Sequence, residues 1–294
     1  MITRGTHACV SIGCAAILIV AGCGGPDFDI STGGAGGASS SSSSSGAGGE
    51  GGGTPVPKFS FFVTSLKAMQ DLSKNPLGFG GDLRFGETGP GAGLRGADKI
   101  CAAVAEMSMP GSSAKQWRAF LSVAAGDDGK QVNAIDRIGE GPWYDRLGRL
   151  LANTKADLLH DRPEGADPAI KDDLPNENGI PNKQPDPTKP PEDNHHTITG
   201  STTMGTLFNA MSTCLDWTSA KGDPATEGRP RMGLTFPRMG GPVSSSSTNW
   251  MSALHETGCA PGVNLVPSPP PGPEDVDIGN GGGYGQIYCF ALTP

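Results

Sequence analysis

The chain lacks any apolar run of the roughly 20 residues that a permanent transmembrane helix needs; its longest such stretch, within residues 9–21, stops at Gly22-Cys23-Gly24-Gly25. A stable helical span is therefore excluded from the expectations. No compact group of Lys and Arg interleaved with aromatic residues is present either, and the net charge is -8. Phosphate backbones and sulfated glycans are repelled by such a balance, so nucleic acid is not expected as a partner. The basic residues Arg137, Arg146 and Arg149 are accompanied by Asp136, Glu140 and Asp145. There is no G-x-S-x-G, no H-E-x-x-H, no glycine-rich phosphate loop and no C-x-x-C, so the local signatures of the serine hydrolases, zinc peptidases, phosphate-loop enzymes and short-spaced zinc sites are missing. No cofactor is expected. Aromatic residues make up only 6% of the chain, which leaves little ring surface for a core.

What is present begins at the N-terminus. A short region with Arg4 precedes an apolar stretch from Cys9 to Ala21, the pattern of a signal peptide over residues 1–22. Val20-Ala21-Gly22-Cys23 resembles the bacterial lipobox, which implies lipid transfer to Cys23 and cleavage before it. Cys23 is thus the candidate lipidation site, and the membrane the first expected partner. Gly24 rather than Asp follows the cysteine, which is compatible with sorting to the outer membrane. Residues 23–57 are mostly Gly, Ser and Ala, with Ser39 to Ser45 unbroken, and such a tract cannot bury a core. As a tether it would span on the order of 30 Å root-mean-square.

Of seven cysteines, Cys9 and Cys14 leave with the signal and Cys23 takes lipid; Cys101, Cys214, Cys259 and Cys289 remain. An even number in an oxidising compartment points to two disulfides, with three connectivities open. The folded domain is expected over residues 58–294. Lys58 to Ser65 reads as a strand, and residues 96–107 as an amphipathic helix that buries Cys101, with Asp98 suiting the dipole of its first turn. The alternation Trp117, Ala119, Leu121, Val123 argues a further strand, and residues 147–159 a helix. His160 to Asn194 holds eight prolines and nine acids, and is expected to be a disordered surface insertion. Short strands are expected at 195–200, 213–219 and 286–292. The class is α+β, one loop-rich domain.

Phe61-Phe62-Val63-Thr64-Ser65, Leu94 through Cys101, Trp117 through Ser122, Thr199-Gly200-Ser201, Cys214-Leu215-Asp216-Trp217, Cys259 and Ile287-Tyr288-Cys289-Phe290 occur in an order that resembles the C-type-lectin-like fold. The branch it is most similar to contains the endostatin-like collagen C-terminal domain and a bacterial lipoprotein family of unknown function. The resemblance covers nearly all of residues 58–294. It implies that the terminal strands pair, that Cys101 bonds Cys289, and that Cys214 bonds Cys259.

Calcium-dependent sugar-binding members of that fold use a Gln-Pro-Asp triplet, matched in letters by Gln184-Pro185-Asp186, together with a later Trp-Asn-Asp. Here Thr248-Asn249-Trp250-Met251 stands instead, so Gln184 and Asp186 are weak candidates for a metal and calcium is not expected to be required. Endostatin-like relatives imply zinc on N-terminal histidines and heparin on arginines, yet no histidine lies between Cys23 and His160. His195 and His196, adjacent on a strand, should point to opposite faces in solvent and not chelate as a pair, although one of them with Asp193 is a minor metal candidate. Trp143 and Trp250 are candidates for stacking on a ligand, and Trp217 is assigned to the core. The leading expectation is a non-enzymatic module that presents its loops to an extracellular glycan or protein. The alternatives are an enzyme resembling the formylglycine-generating oxidases, which would need free cysteines, and a purely structural envelope lipoprotein.

Overall fold

The computed structural model describes residues 57–183, 194–237, 248–265 and 276–293. Cys23, Gln184, Asp186 and Asp193 lie outside them. The described part is mixed α/β, with short strands in small sheets, six helices and two disulfides.

At its centre is an antiparallel sheet in the order β1 (Phe61–Val63), β9 (Tyr288–Ala291), β2 (Trp117–Ala119), so the first and last strands pair. Cys289 is opposite Phe62 on one side and Ala119 on the other, while Phe290 is opposite Phe61 and Arg118. Successive side chains leave a strand on opposite faces. Phe62, Trp117, Ala119, Cys289 and Ala291 therefore share one face, and Phe61, Tyr288 and Phe290 the other. Both faces are buried. The first packs against helix α2 (Ala92–Ser108) through Ala97, Ile100, Cys101 and Val104. Beneath the second lie Phe120, Trp143, Leu151 and Trp250. The near-continuous apolar runs of β1 and β9 are the consequence of this two-sided burial.

A hairpin of β3 (Trp143–Tyr144) and β4 (Leu150–Ala152) and a second sheet complete the frame. The second sheet runs β7 (Leu254–His255), β6 (Arg231–Leu234), β5 (His196–Ile198), β8 (Gly283–Gln286), with β5 and β8 parallel. Helix α1 (Leu66–Ser73) is capped by the Ser65 hydroxyl accepting from the Ala68 amide. Cys101–Cys289 ties α2 to the last strand and Cys214–Cys259 closes an inner loop, with Cα separations of 5.5 and 5.8 Å.

Several local expectations are corrected. Residues 147–159 form β4 and a single helical turn, Lys155–Leu158, not a longer helix. The segment 160–183 is packed rather than disordered. Arg162 is buried and donates to the carbonyls of Lys171, Leu234 and Thr235, and Ile170 and Leu174 sit in the interior. Its prolines and acids break periodicity, but tertiary contacts supply the order that periodicity would have signalled. Asp98 lies in the second turn of α2, not the first. It accepts from the Ala119 amide and, through both carboxylate oxygens, from one terminal nitrogen of Arg137, whose other terminal nitrogen donates to the Ala119 carbonyl; together these bonds fasten the helix to β2.

Residues 213–219 are not a strand. Cys214, Leu215, Asp216 and Trp217 have φ of 49°, 54°, 56° and 62°, one complete left-handed helical turn without a glycine. The Trp217 amide bonds the Thr213 carbonyl at 2.6 Å and that of Thr218 the Cys214 carbonyl at 3.2 Å. Left-handed helical geometry costs roughly 1–2 kcal/mol per L-residue, so this turn exists only because its surroundings hold it. The disulfide fixes Cys214, Trp217 is fully buried with its ring N–H donating to the Ser122 carbonyl, and the Asp216 carboxylate accepts from the amides of Ala124 and Ala125. Gly93 of α2 completes the fit, because a Cβ there would stand 2.1 Å from the Asp216 carbonyl oxygen.

Candidate functional site

The tryptophans expected to meet a ligand do not reach the surface. Trp143 is 1% and Trp250 0% exposed; Trp143 packs edge-on against Phe290, and the Trp250 ring N–H donates to the Leu158 carbonyl. Both faces of the central sheet need large rings, and these two residues fill the second layer.

His195 and His196 are buried as well, not solvent-exposed. Their rings meet edge to face, 4.1 Å apart, in place of the opposite orientation of a regular strand. His196 Nδ1 lies 2.7 Å from Oε1 of Glu256, itself buried. Among the described residues, no three of His, Cys, Asp and Glu converge as a metal-binding group.

A charged cleft of about 470 Å³ borders α2, with Arg95, Lys99, Arg118 and Arg137 on its walls. Each cation already has a carboxylate within 4 Å, two of them shared: Glu87 and Asp127 for Arg95, Glu87 also for Lys99, and Asp98 for both Arg118 and Arg137. Such a surface offers an incoming anion little that is not already used. A cleft of about 410 Å³ beside α1 includes Gln70, Asn182 and Tyr284, and the Asn182 amide is committed to Asn194, Thr235 and Gln286.

The surface carried by residues 204–231 differs. Met204, Phe208, Met211 and Leu215 are large, apolar and exposed by 39–54% within twelve residues of chain. Of these, Met211 lines a depression of about 360 Å³ formed with Asn209, Ser212, Pro224, Arg229 and His255, and Phe208 reaches it through its contact with His255. The Arg231 guanidinium sits 4.6 Å over the Phe208 ring, and His255 meets that ring edge-on. Leu215 rides on the left-handed turn, which the interior grips through its neighbours Cys214 and Trp217. Sequence reasoning missed this surface: its only signal is apolar residues scattered in a loop, which is common in any chain.

Ser212 Oγ and His255 Nε2 lie 3.3 Å apart in that depression, an arrangement that invites comparison with a nucleophile and its base. The hydrogen bonds assign a different role. An Arg231 terminal nitrogen lies 3.2 Å from His255 Nδ1, and a guanidinium can only donate. Nδ1 is therefore the acceptor in neutral His255 and Nε2 carries the proton. His255 then donates to Ser212, whose hydroxyl donates onward to Asn209 Oδ1 at 3.1 Å. In this tautomer the imidazole cannot take the serine proton, and an arginine occupies the place where a carboxylate would orient a base. Burial, reinforced by Arg231 and Arg229, lowers the His255 pKa to about 4, so the ring is neutral at physiological pH. All four cysteines among the described residues are in disulfides, so none of them supplies the free thiols that an oxidase of the formylglycine-generating type would use.

Compared with known proteins, the chain matches no family model and no curated protein.

Proposed function

We propose that the chain is an exported lipoprotein, anchored through lipid on Cys23, that holds a non-enzymatic C-type-lectin-like module outside the cytoplasm and binds an extracellular or envelope polymer or protein through the surface of residues 204–231. The observation that carries the binding role is the run of exposed apolar residues Met204, Phe208, Met211 and Leu215, of which Met211 lines a depression and Leu215 stands on a strained turn. Exposed apolar side chains gathered beside a concavity mark interaction sites, and strain of this kind persists where the surroundings over-determine it. Pairing of the terminal strands and the two disulfides support the lectin-like reading. Disulfides are also compatible with an extracytoplasmic location, and among the described residues no helix is long and apolar enough to cross a membrane; the proposed anchor rests on the lipobox-like Val20-Ala21-Gly22-Cys23.

Two measurements test the proposal. Mass spectrometry of the membrane fraction should find lipid on Cys23, and Cys23→Ala should release the protein; equal membrane retention of the variant would refute the anchor. Full-length protein in detergent micelles should bind members of combined glycan and peptide arrays, and Met211→Ser with Leu215→Ser should abolish that binding with circular dichroism unchanged. Undiminished binding by the double variant would refute the surface.

A further inference from the structure

We infer that the surface around residues 204–231 takes an acidic peptide segment of a partner protein, its Asp or Glu carboxylate held by Arg229 and Arg231 and a neighbouring aliphatic or aromatic side chain laid on Met211 and Leu215. The inference rests on the binding role proposed above and names its ligand.

Charge is its first support. Arg84, Arg95, Arg118, Arg137, Arg149 and Arg162 each have a carboxylate within 4 Å, as befits a chain of net charge -8. Among the described residues Arg229, Arg231 and Arg146 have none, and Arg146 is committed instead to the Ser108 hydroxyl and carbonyl. The acids nearby are engaged elsewhere: Asp223 caps the turn Pro224–Glu227 through the Ala225 amide, Glu227 accepts from the amides of Lys221 and Gly222, and Glu256 bonds His196 and the Gly281 amide. Arg231 spends Nε on Ser252 and one terminal nitrogen on His255, leaving the other without a hydrogen bond to a described residue. Exposed Arg229 makes no side-chain hydrogen bond to one. With His255 oriented as a donor to Ser212, the guanidinium groups make this rim rich in donors, which complements a carboxylate.

The apolar part decides between a peptide and an acidic sugar. Sugars are held by flat, exposed rings, yet all four tryptophans and both Tyr284 and Tyr288 are buried, and one face of Phe208 is already covered by Arg231. What remains is aliphatic and thioether surface, Met204, Met211 and Leu215, which adapts to protein side chains.

The test uses full-length lipidated protein in detergent micelles on an array of random decapeptides printed beside uronate oligosaccharides and phosphopeptides. Bound peptides should be enriched in Asp and Glu flanked by Leu, Met or Phe, and replacement of their acids by Asn or Gln should remove binding. Arg229→Gln should weaken it roughly tenfold, and binding should decline as salt rises. Arg231→Gln should act in the same direction; Arg229, free of side-chain hydrogen bonds to described residues, carries the test should the half-buried Arg231 variant not fold. Bound peptides without acidic enrichment, binding confined to uronates or phosphopeptides, or indifference to Arg229→Gln would each overturn the inference. If Met211→Ser with Leu215→Ser abolishes binding but Arg229→Gln does not, the acidic ligand is wrong and the surface stands. If neither variant matters, both fall.

Discussion

The left-handed turn at Cys214–Trp217 makes a prediction whose sign is opposite to ordinary helix behaviour. Leu215 has φ 54° and ψ 55° and is 47% exposed, so substitutions there report backbone preference more than core packing. In a right-handed helix, alanine is more stable than glycine by about 1 kcal/mol. At Leu215, an L-residue carries a left-handed cost of roughly 1–2 kcal/mol that glycine escapes. Glycine gives back about 0.5–1 kcal/mol through its freer unfolded chain. The balance puts Leu215→Gly about 0.5–1 kcal/mol above Leu215→Ala, and the β-branched Leu215→Ile should fall below both. Urea unfolding under non-reducing conditions, with the disulfides intact, measures the order directly. Should Leu215→Ala prove more stable than Leu215→Gly, the turn is not left-handed in solution and Leu215 is presented without backbone strain.

Gly93→Ala would add about 1 kcal/mol of helix propensity elsewhere, but here its Cβ meets the Asp216 carbonyl at 2.1 Å; a net loss of at least 1–3 kcal/mol is expected from thermal unfolding, and a stabilised variant would contradict the packing of α2 on the turn. Burial raises the Asp173 carboxyl to about 6, against hydrogen bonds from the amides of Asn182 and Lys183 to its Oδ1. Between about pH 4 and 6 the native state then keeps a proton that the unfolded chain has released, so this residue's contribution to stability falls as pH rises. Asp173→Asn, whose Oδ1 can still accept both bonds, should therefore be more stable at pH 7 by on the order of 2 kcal/mol and indistinguishable below pH 4; denaturation across that range decides, and a less stable variant at pH 7 would count against the burial. His255 should titrate by NMR near pH 4, and Arg229→Gln should raise its midpoint by removing a positive neighbour. Because the unfolded chain binds this proton below about 6.5 while the native state refuses it until about 4, stability attributable to His255 should decline as pH falls through that window; an unshifted midpoint in the wild type would contradict the burial of His255 beside the two arginines.

How much was legible in the sequence follows the range of the forces involved. The period-2 and 3.6-residue patterns of Phe61–Val63, Trp117–Ala119, Tyr288–Ala291 and the helix about Cys101 are written locally, and the structure places a strand or helix at each. Counting cysteines yields two bridges but not their partners; residues alone left three pairings open, and the resemblance supplied one. Composition misled at 160–183, where the lack of periodicity says nothing about the long-range carbonyls that Arg162 finds on β6 and beyond. Composition misled again at Trp143 and Trp250, because whether a tryptophan stacks on a ligand or on Phe290 depends on which layer lies above it. The Ser212–His255 contact and its tautomer depend on Arg231, a residue on another strand. Thus the sequence by itself determined the central strands, the long helix and the supply of cysteines, through short-range periodicity. Only the tertiary structure decided the left-handed turn, the buried rings and the two arginines without a carboxylate partner among the described residues of this surface, since Cys-Leu-Asp-Trp has no intrinsic preference for left-handed backbone and takes it only when Cys259, Ser122, Ala124 and Gly93 close around it.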